Sequence, residues 1–374
     1  MNMSVPAISD VRVRIPLYAK HRGGAATPFT ALLLAAFAAL LPAACGRSVE
    51  SRLEAAPTDR LTVLEGATMG GRYTVKLVDL APAVAASDLH EEIEAALRRI
   101  NDGMSTFVDD SELMRFNRST STDWMAASPA LVEVTAEAQR VSALTDGAFD
   151  VTVGPLVNLW GFGPDLRPEA VPAAADIEAA RERVGFRLLE TRDGPPALRK
   201  HRPDIYVDLS AIAAGYAADV LSALLDARGV KNYVVDVTGE LRVLGHNPQG
   251  QPWAIAVERP VPEVRSAERV LQIDGAGVAT SGDYRNWFEV DGRRYSHIID
   301  PRTARPVSHG LAAVTIVAPT AMRADALATG LMVLGPEAGY ELAAREGIAA
   351  LFIVREGRGF TERATPAMGA YAVR

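Results

Sequence analysis

The sequence predicts an α+β fold, with antiparallel-rich sheets packed against helices in a single compact domain over residues 61–374. Three observations carry that expectation. Strand-like runs come in pairs joined by tight-turn residues, the pattern of hairpins rather than of parallel crossovers. Helix-like stretches stand apart from those pairs, whereas a doubly wound sheet would alternate the two. No interdomain linker interrupts residues 60–374, and an apolar content of 48% is enough for a full core.

The elements follow in order. Residues 61–66 and 72–78 read as a hairpin around Thr68-Met69-Gly70-Gly71. Leu89, Ile93, Leu97 and Ile100 fall on one helical face. Ser128-Pro129 is an N-cap followed by proline at the first helical position, and that helix should run to about Leu144. Residues 161–175, rich in Pro, Gly and Ala, read as a loop, and 176–184 as a helix closed by Gly185. Residues 204–208 read as a short strand, with Ser210 capping a helix that ends before Gly229. Strands are expected at 233–237, 241–244 and 253–257. Segments 286–290 and 294–299 flank Asp291-Gly292, a strong hairpin signal. Residues 314–317 read as a strand, 321–334 as a helix and 350–354 as a late strand.

The net charge of −7, with no basic tract of five or more residues, argues against a general affinity for nucleic acid. The N-terminus has a different character. Residues 11–49 lack acids but carry Arg12, Arg14, Lys20 and Arg22. An apolar run from Ala31 to Leu41 follows, too short for an ordinary membrane span, and then Pro42-Ala43-Ala44-Cys45. Residues 1–44 therefore read as an export signal. Cys45 is the only cysteine, so no disulfide forms within the chain. Ala-Ala-Cys resembles a bacterial lipoprotein cleavage site, although Pro42 replaces the usual Leu. Residues 45–60 read as a polar tether after a lipid-anchored Cys45, which puts the domain at the periplasmic face of the cell envelope.

The chemistry starts from Asp325 and Thr329, one helical turn apart in Ala-Asp-Ala-Leu-Ala-Thr. Two converging hard oxygens in apolar surroundings suit Mg²⁺. Alone, the pair reads first as an Asp near a helix start and a Thr bonded back to its own helix. Its company is Gly-Ala-Phe-Asp-Val-Thr-Val-Gly-Pro (147–155), Asp-Leu-Ser-Ala-Ile-Ala-Ala-Gly-Tyr-Ala-Ala-Asp (208–219) and Tyr-Ser-His-Ile-Ile-Asp-Pro-Arg-Thr (295–303).

These segments together resemble the FAD:protein FMN transferases of the ApbE family, over about residues 61–355. The resemblance implies a T-fold-like single catalytic domain. Thr68-Met69-Gly70-Gly71 is similar to the family's Thr-Met-Gly-Thr turn, where the Met contacts flavin. Phe107, after Met-Ser-Thr, stands where a Tyr is usual. The resemblance makes Met69, Phe107, Ala148, Phe149, Asp150, Ala214 and Ile298 candidates for binding FAD. Ala214 replaces a Lys or Glu, so only its backbone carries over. Thr238, in Asp236-Val237-Thr238-Gly239-Glu240, replaces a Gly. The implied metal set is the Ala217 carbonyl, Asp325 and Thr329, holding Mg²⁺. His297 and Asp300 are the candidate bases.

The implied reaction moves FMN from FAD, as substrate, to a Thr or Ser hydroxyl of another protein, and AMP leaves. The partner would be a flavin-acceptor protein with an exposed Thr/Ser motif, such as a membrane redox subunit. Three alternatives stay open: hydrolysis of FAD to FMN and AMP at the same site, a flavin-binding lipoprotein without turnover, and a purely structural envelope lipoprotein, which would leave the four ordered motifs unexplained.

Overall fold

Eight strands follow one another across one antiparallel sheet in the order of the chain. They are β1 (Leu61–Thr68), β2 (Gly71–Val78), β3 (Tyr233–Val237), β4 (Glu240–Leu244), β5 (Ala276–Gly282), β6 (Leu311–Ala318), β7 (Ala349–Glu356) and β8 (Gly359–Ala364). The computed structural model describes residues 60–164, 170–261 and 266–371. The export signal, Cys45 and the tether as far as residue 59 lie outside the described residues, as do 165–169 of the expected loop. Among the described residues no helix is long and apolar enough to cross a membrane.

Period-two alternation explains how the sheet is buried on both faces. In β6, Val314 and Ile316 join the larger core cluster, while Ala313 and Val317 join the second. Helices cover the first face: α1 (Ala86–Met104), α2 (Pro129–Leu144), α3 (Ala213–Ala227) and α4 (Ala321–Leu334). In α1 the expected stripe of Leu89, Ile93, Leu97 and Ile100 is buried. The second face is covered by the hairpin Trp253–Glu258/Ala267–Ile273 and the short 3₁₀ turn Pro366–Ala370. A third, smaller cluster joins Leu156, Trp160 and Ile177 to Phe288 and Ile299.

Because neighbouring strands run antiparallel, the connections alternate between the two ends of the sheet. The turns β1–β2 and β3–β4 and the connection β5–β6 share one end. The chain enters β1 at the other end, where Arg60 pairs with Asp79 and its guanidinium reaches the Pro248 carbonyl at 3.0 Å.

Most expected elements form. Asp291 (φ 52°) and Gly292 (φ 72°) make the tight turn of the hairpin Trp287–Val290/Arg293–Ser296. Ser128 caps α2 by accepting from the Leu131 amide. Residues 204–208, in contrast, have no ladder partner and are not a strand. Ser210 does not cap α3. Its amide (2.9 Å) and hydroxyl (2.6 Å) both bond the Asp208 carboxylate, closing a local turn, and the helix starts at Ala213. β5, rich in Gly, Ala, Thr and Ser, carries little strand propensity and was not expected. Gly277 is there because a Cβ would lie 2.3 Å from the Ala321 amide nitrogen at the start of α4.

The N-terminus of α3 is capped from α4, and that of α4 from α3. Asp325 of α4 accepts from the Gly215 amide at 3.1 Å. Asp219 of α3 accepts from the Ala321 and Met322 amides at 2.9 and 2.8 Å. Gly215 permits this approach, since a Cβ would sit 2.4 Å from the Ala321 carbonyl oxygen. We expect Gly215→Ala to cost about 1–3 kcal/mol through this overpacking, read as a lowered urea midpoint. An unchanged midpoint would show that the two helices can slide apart freely.

Candidate active site

A cleft of about 1150 Å³ opens at the end of the sheet that carries the β1–β2 and β3–β4 turns. Met69, from the first turn, and Thr238, from the second, both line it. α1 and its following loop contribute Met104 and Phe107, and the 147–152 segment contributes Ala148, Phe149 and Asp150. Ala214 comes from the first turn of α3, and Asp325 and Thr329 from α4. His297 and Ile298 arrive from the β5–β6 connection. Segments far apart in sequence thus meet because the antiparallel order returns the chain to one end of the sheet.

Two candidates stand off this wall. Asp300 does not line the cleft: one of its carboxylate oxygens accepts from Arg302 Nε, the other from a terminal nitrogen of the same guanidinium, both at 3.0 Å. Ala217 is fully buried in α3, two residues beyond Gly215. Two lining residues are more structural than their position suggests. Asp150 uses one oxygen on the Thr152 amide and hydroxyl, both at 2.7 Å, and the other on the Phe186 amide at 2.7 Å. Its pKa is raised by burial, against those three bonds. Phe149 is 2% exposed and packed in the main core, whereas Phe107 is 71% exposed at the cleft rim. An open ring can stack on a flat ligand.

Asp325 is 6% exposed and its pKa is pushed up to about 7, first by burial and secondarily by the Asp219 charge; the Gly215 amide opposes the shift. Glu240, at the start of β4, also lines the cleft. Burial, and then the charges of Asp325 and Asp236, hold its carboxyl well above the usual range. Glu240 Oε2 is enclosed and has no hydrogen-bond partner. Thr329 Oγ1 lies 3.2 Å from Ser281 Oγ. Among the described residues no Lys or Arg pairs with Asp325 or Glu240. Hard oxygens of this kind, short of positive charge, fit Mg²⁺. No group of three or more His, Cys, Asp and Glu that could hold a metal occurs among the described residues. Any cation here therefore leans on few carboxylates, as Mg²⁺ does when a phosphate ligand completes its shell.

His297 is half-buried, and its Nδ1 lies 3.0 Å from the Asn286 carbonyl. A carbonyl can only accept, so Nδ1 carries the proton and Nε2 the lone pair. Burial lowers the His297 pKa, against the Asn286 bond and the Asp283 charge. The ring is thus neutral at pH 7 and able to take a proton. Among the described residues Nε2 has no hydrogen-bond partner.

Among the lining residues that the candidates did not include are Glu240, Ser281 and Thr106, whose buried Oγ1 lacks a partner. Glu240 and Thr106 sit inside segments already singled out, whereas Ser281 stands out only through Thr329, its neighbour from α4.

The ApbE family model matches residues 69–352. The chain belongs to the ApbE family. Among its ApbE relatives, the FAD:protein FMN transferase of Salmonella typhimurium is 45% identical over 313 residues, 83% of this chain and 89% of its own length. That of Vibrio cholerae is 46% identical over 302 residues, 81% of this chain and 90% of its own. The solved flavin transferase ApbE from Vibrio cholerae superposes with a TM-score of 0.77 at 44% identity, covering 83% of this chain and 99% of that one. The ApbE protein of Thermotoga maritima gives 0.74 at 27% identity, covering 84% and 100%. The mixed, antiparallel α+β fold is thus the ApbE fold.

In this ApbE chain two positions that differ from the motifs it resembles lie against each other. Gly71 stands in place of a Thr and Thr238 in place of a Gly. A Cβ on Gly71 would lie 2.9 Å from Thr238 Cγ2. The Thr238 side chain therefore fills the space that a side chain at 71 would need. It does so at φ 56°, a left-handed conformation that costs a β-branched residue about 1–2 kcal/mol. Gly71→Thr alone should destabilise by about 1–3 kcal/mol through overpacking. Combined with Thr238→Gly it should recover stability, with a coupling energy above about 0.5 kcal/mol in a denaturation double-mutant cycle. Additive effects would mean the two turns do not compete for one space.

Proposed function

We propose that this chain is an FAD:protein FMN transferase: it moves FMN from FAD to a Thr or Ser hydroxyl of an acceptor protein and releases AMP. The observation that carries this is the convergence of His297, Asp325 and Thr329 on one cleft large enough for a dinucleotide. The names of the relatives, FAD:protein FMN transferase, agree with it.

The chemistry is phosphoryl transfer, which needs positioning and charge compensation more than covalent help. Asp325 and Thr329 are the residues that would hold Mg²⁺, with the Ala217 carbonyl as a further candidate. When bound, the ion offsets charge on the pyrophosphate and on departing AMP. Met69, Phe107, Ala148, Phe149 and Ala214 line the cleft, and Met69, Phe107 and Phe149 would border the flavin. The acceptor oxygen attacks the FMN-side phosphorus, its proton passes to His297 Nε2, and the bond from that phosphorus to the AMP oxygen breaks. Asp300, held by Arg302, steadies the loop after His297 and is not the base in this reading.

The decisive experiment incubates the protein with FAD, Mg²⁺ and a peptide carrying an acceptor Thr. Stoichiometric AMP and flavin-labelled peptide support transfer. AMP and FMN without labelled peptide would make the chain an FAD pyrophosphatase. Bound, unchanged FAD would make it a flavin-binding protein.

We further propose that residues 1–44 are removed on export and that Cys45 is lipidated, holding the domain at the periplasmic face of a membrane. The basic-then-apolar start ending in Ala-Ala-Cys supports this. Mass spectrometry of the membrane fraction should find an acylated N-terminal Cys45. An intact Met1 would overturn export, and an unmodified Cys45 on released protein would overturn only the anchor.

A further inference from the structure

Three polar atoms of the cleft wall attract notice beyond the residues already assigned: Thr106 Oγ1, Ser281 Oγ and Glu240 Oε2. Thr106 Oγ1 is a neutral orphan that one water would satisfy. Ser281 Oγ already has Thr329 Oγ1 at 3.2 Å. Glu240 differs from both, because an enclosed carboxylate oxygen without a donor is costly and demands a counter-charge.

We propose that Glu240 is a second anionic holder of the cation in this cleft, facing Asp325 from the sheet side. The inference rests on the Mg²⁺ reading above and deepens it. Asp325 reaches the cleft from α4, while Glu240 reaches it from the first residue of β4, directly after the Thr238-Gly239 turn. Both carboxyls line the same cleft. Neither has a Lys or Arg partner among the described residues. Asp325 at least meets the positive end of α3 through the Gly215 amide. The Glu240 carboxyl has the Thr280 amide, but its Oε2 has no hydrogen-bond partner. A divalent ion between the carboxyls satisfies both, and it explains why a charged side chain occupies a strand end enclosed by sheet and helix. Direct ligation and ligation through a bound water give the same expectation, since both act through the charge.

The test uses Mn²⁺ as probe for the Mg²⁺ site, titrated by electron paramagnetic resonance into the purified protein freed of flavin, with Mg²⁺ as competitor. Four proteins are compared: native, Glu240→Gln, Glu240→Asp and Asp325→Asn. Glu240→Gln keeps shape and removes charge, so the Mn²⁺ Kd should rise at least tenfold. Glu240→Asp keeps the charge and should lose less. Thermal melts in EDTA check folding, and Mn²⁺ should raise the melting temperature of the native protein more than that of Glu240→Gln. If Glu240→Gln melts too low to titrate at room temperature, the Mn²⁺-induced rise in its melting temperature, read from a cold start, decides: a smaller rise than in the native protein supports the proposal, and an equal rise overturns it. An unchanged Kd in Glu240→Gln also overturns it, provided Asp325→Asn is impaired. An unchanged Kd in Asp325→Asn would instead remove the cation reading itself.

Discussion

Asp325→Ala should lower the rate of AMP release by about three orders of magnitude or more at millimolar Mg²⁺, the largest loss from any single change in the cleft. Charge stabilisation of a phosphoryl transition state by a metal amounts to several kcal/mol, and each 1.36 kcal/mol is tenfold in rate. The substitution leaves the Thr329 hydroxyl but removes the carboxylate that α4 contributes. It also removes the acceptor for the Gly215 amide, so a helix cap worth about 1 kcal/mol is lost together with a costly buried carboxyl. The melting temperature should therefore change little. Asp325→Asn separates the two effects, because its amide oxygen can still accept from Gly215. AMP release against Mg²⁺ concentration reads the outcome. Normal turnover by either variant in EDTA would end the metal-assisted mechanism.

His297→Ala should cut transfer by about 10²–10⁴ while leaving FAD affinity nearly intact, as expected for loss of a general base. The pH dependence follows from the geometry. Burial lowers the His297 pKa from 6.5, so the ring is unprotonated and competent at neutral pH. Transfer should fall as pH drops through that lowered value, when Nε2 gains a proton and can no longer accept one. The alanine variant should lose this acidic limb. Rate profiles from pH 5 to 8 for both proteins check it. A limb that survives in the variant would assign the base to another group, and an unchanged turnover number would do the same.

What the sequence disclosed depended on how local each signal was. Asp325 and Thr329 were legible because one helical turn relates them, and α4 runs from Ala321 to Leu334 as expected. The Asp291-Gly292 turn was legible because its backbone conformation nearly prescribes its residues. Ser210 misled because the same side chain that caps helices also closes turns onto a neighbouring Asp, and Asp208 was two residues away. β5 was illegible because its membership is decided by neighbours on both sides and by a helix end pressed against Gly277. Glu240 could not be singled out either: its importance lies in an oxygen without a partner, which only the folded chain displays. Thr238 was legible only as a residue in place of a Gly, because the space it fills above Gly71 exists only in the folded chain.

The alternation of connections between the two ends of the sheet has an orientational consequence. The polypeptide enters β1 at Leu61, and the eight residues to Thr68 separate that entry from the Met69 turn at the cleft, about 25 Å at ordinary strand rise. Anything that holds the N-terminus holds the protein by its back. If Cys45 is anchored as proposed above, the tether joins the domain at the end of the sheet opposite the cleft, and its length, at most about 3.5 Å per residue, bounds how far the cleft can stand from the lipid surface.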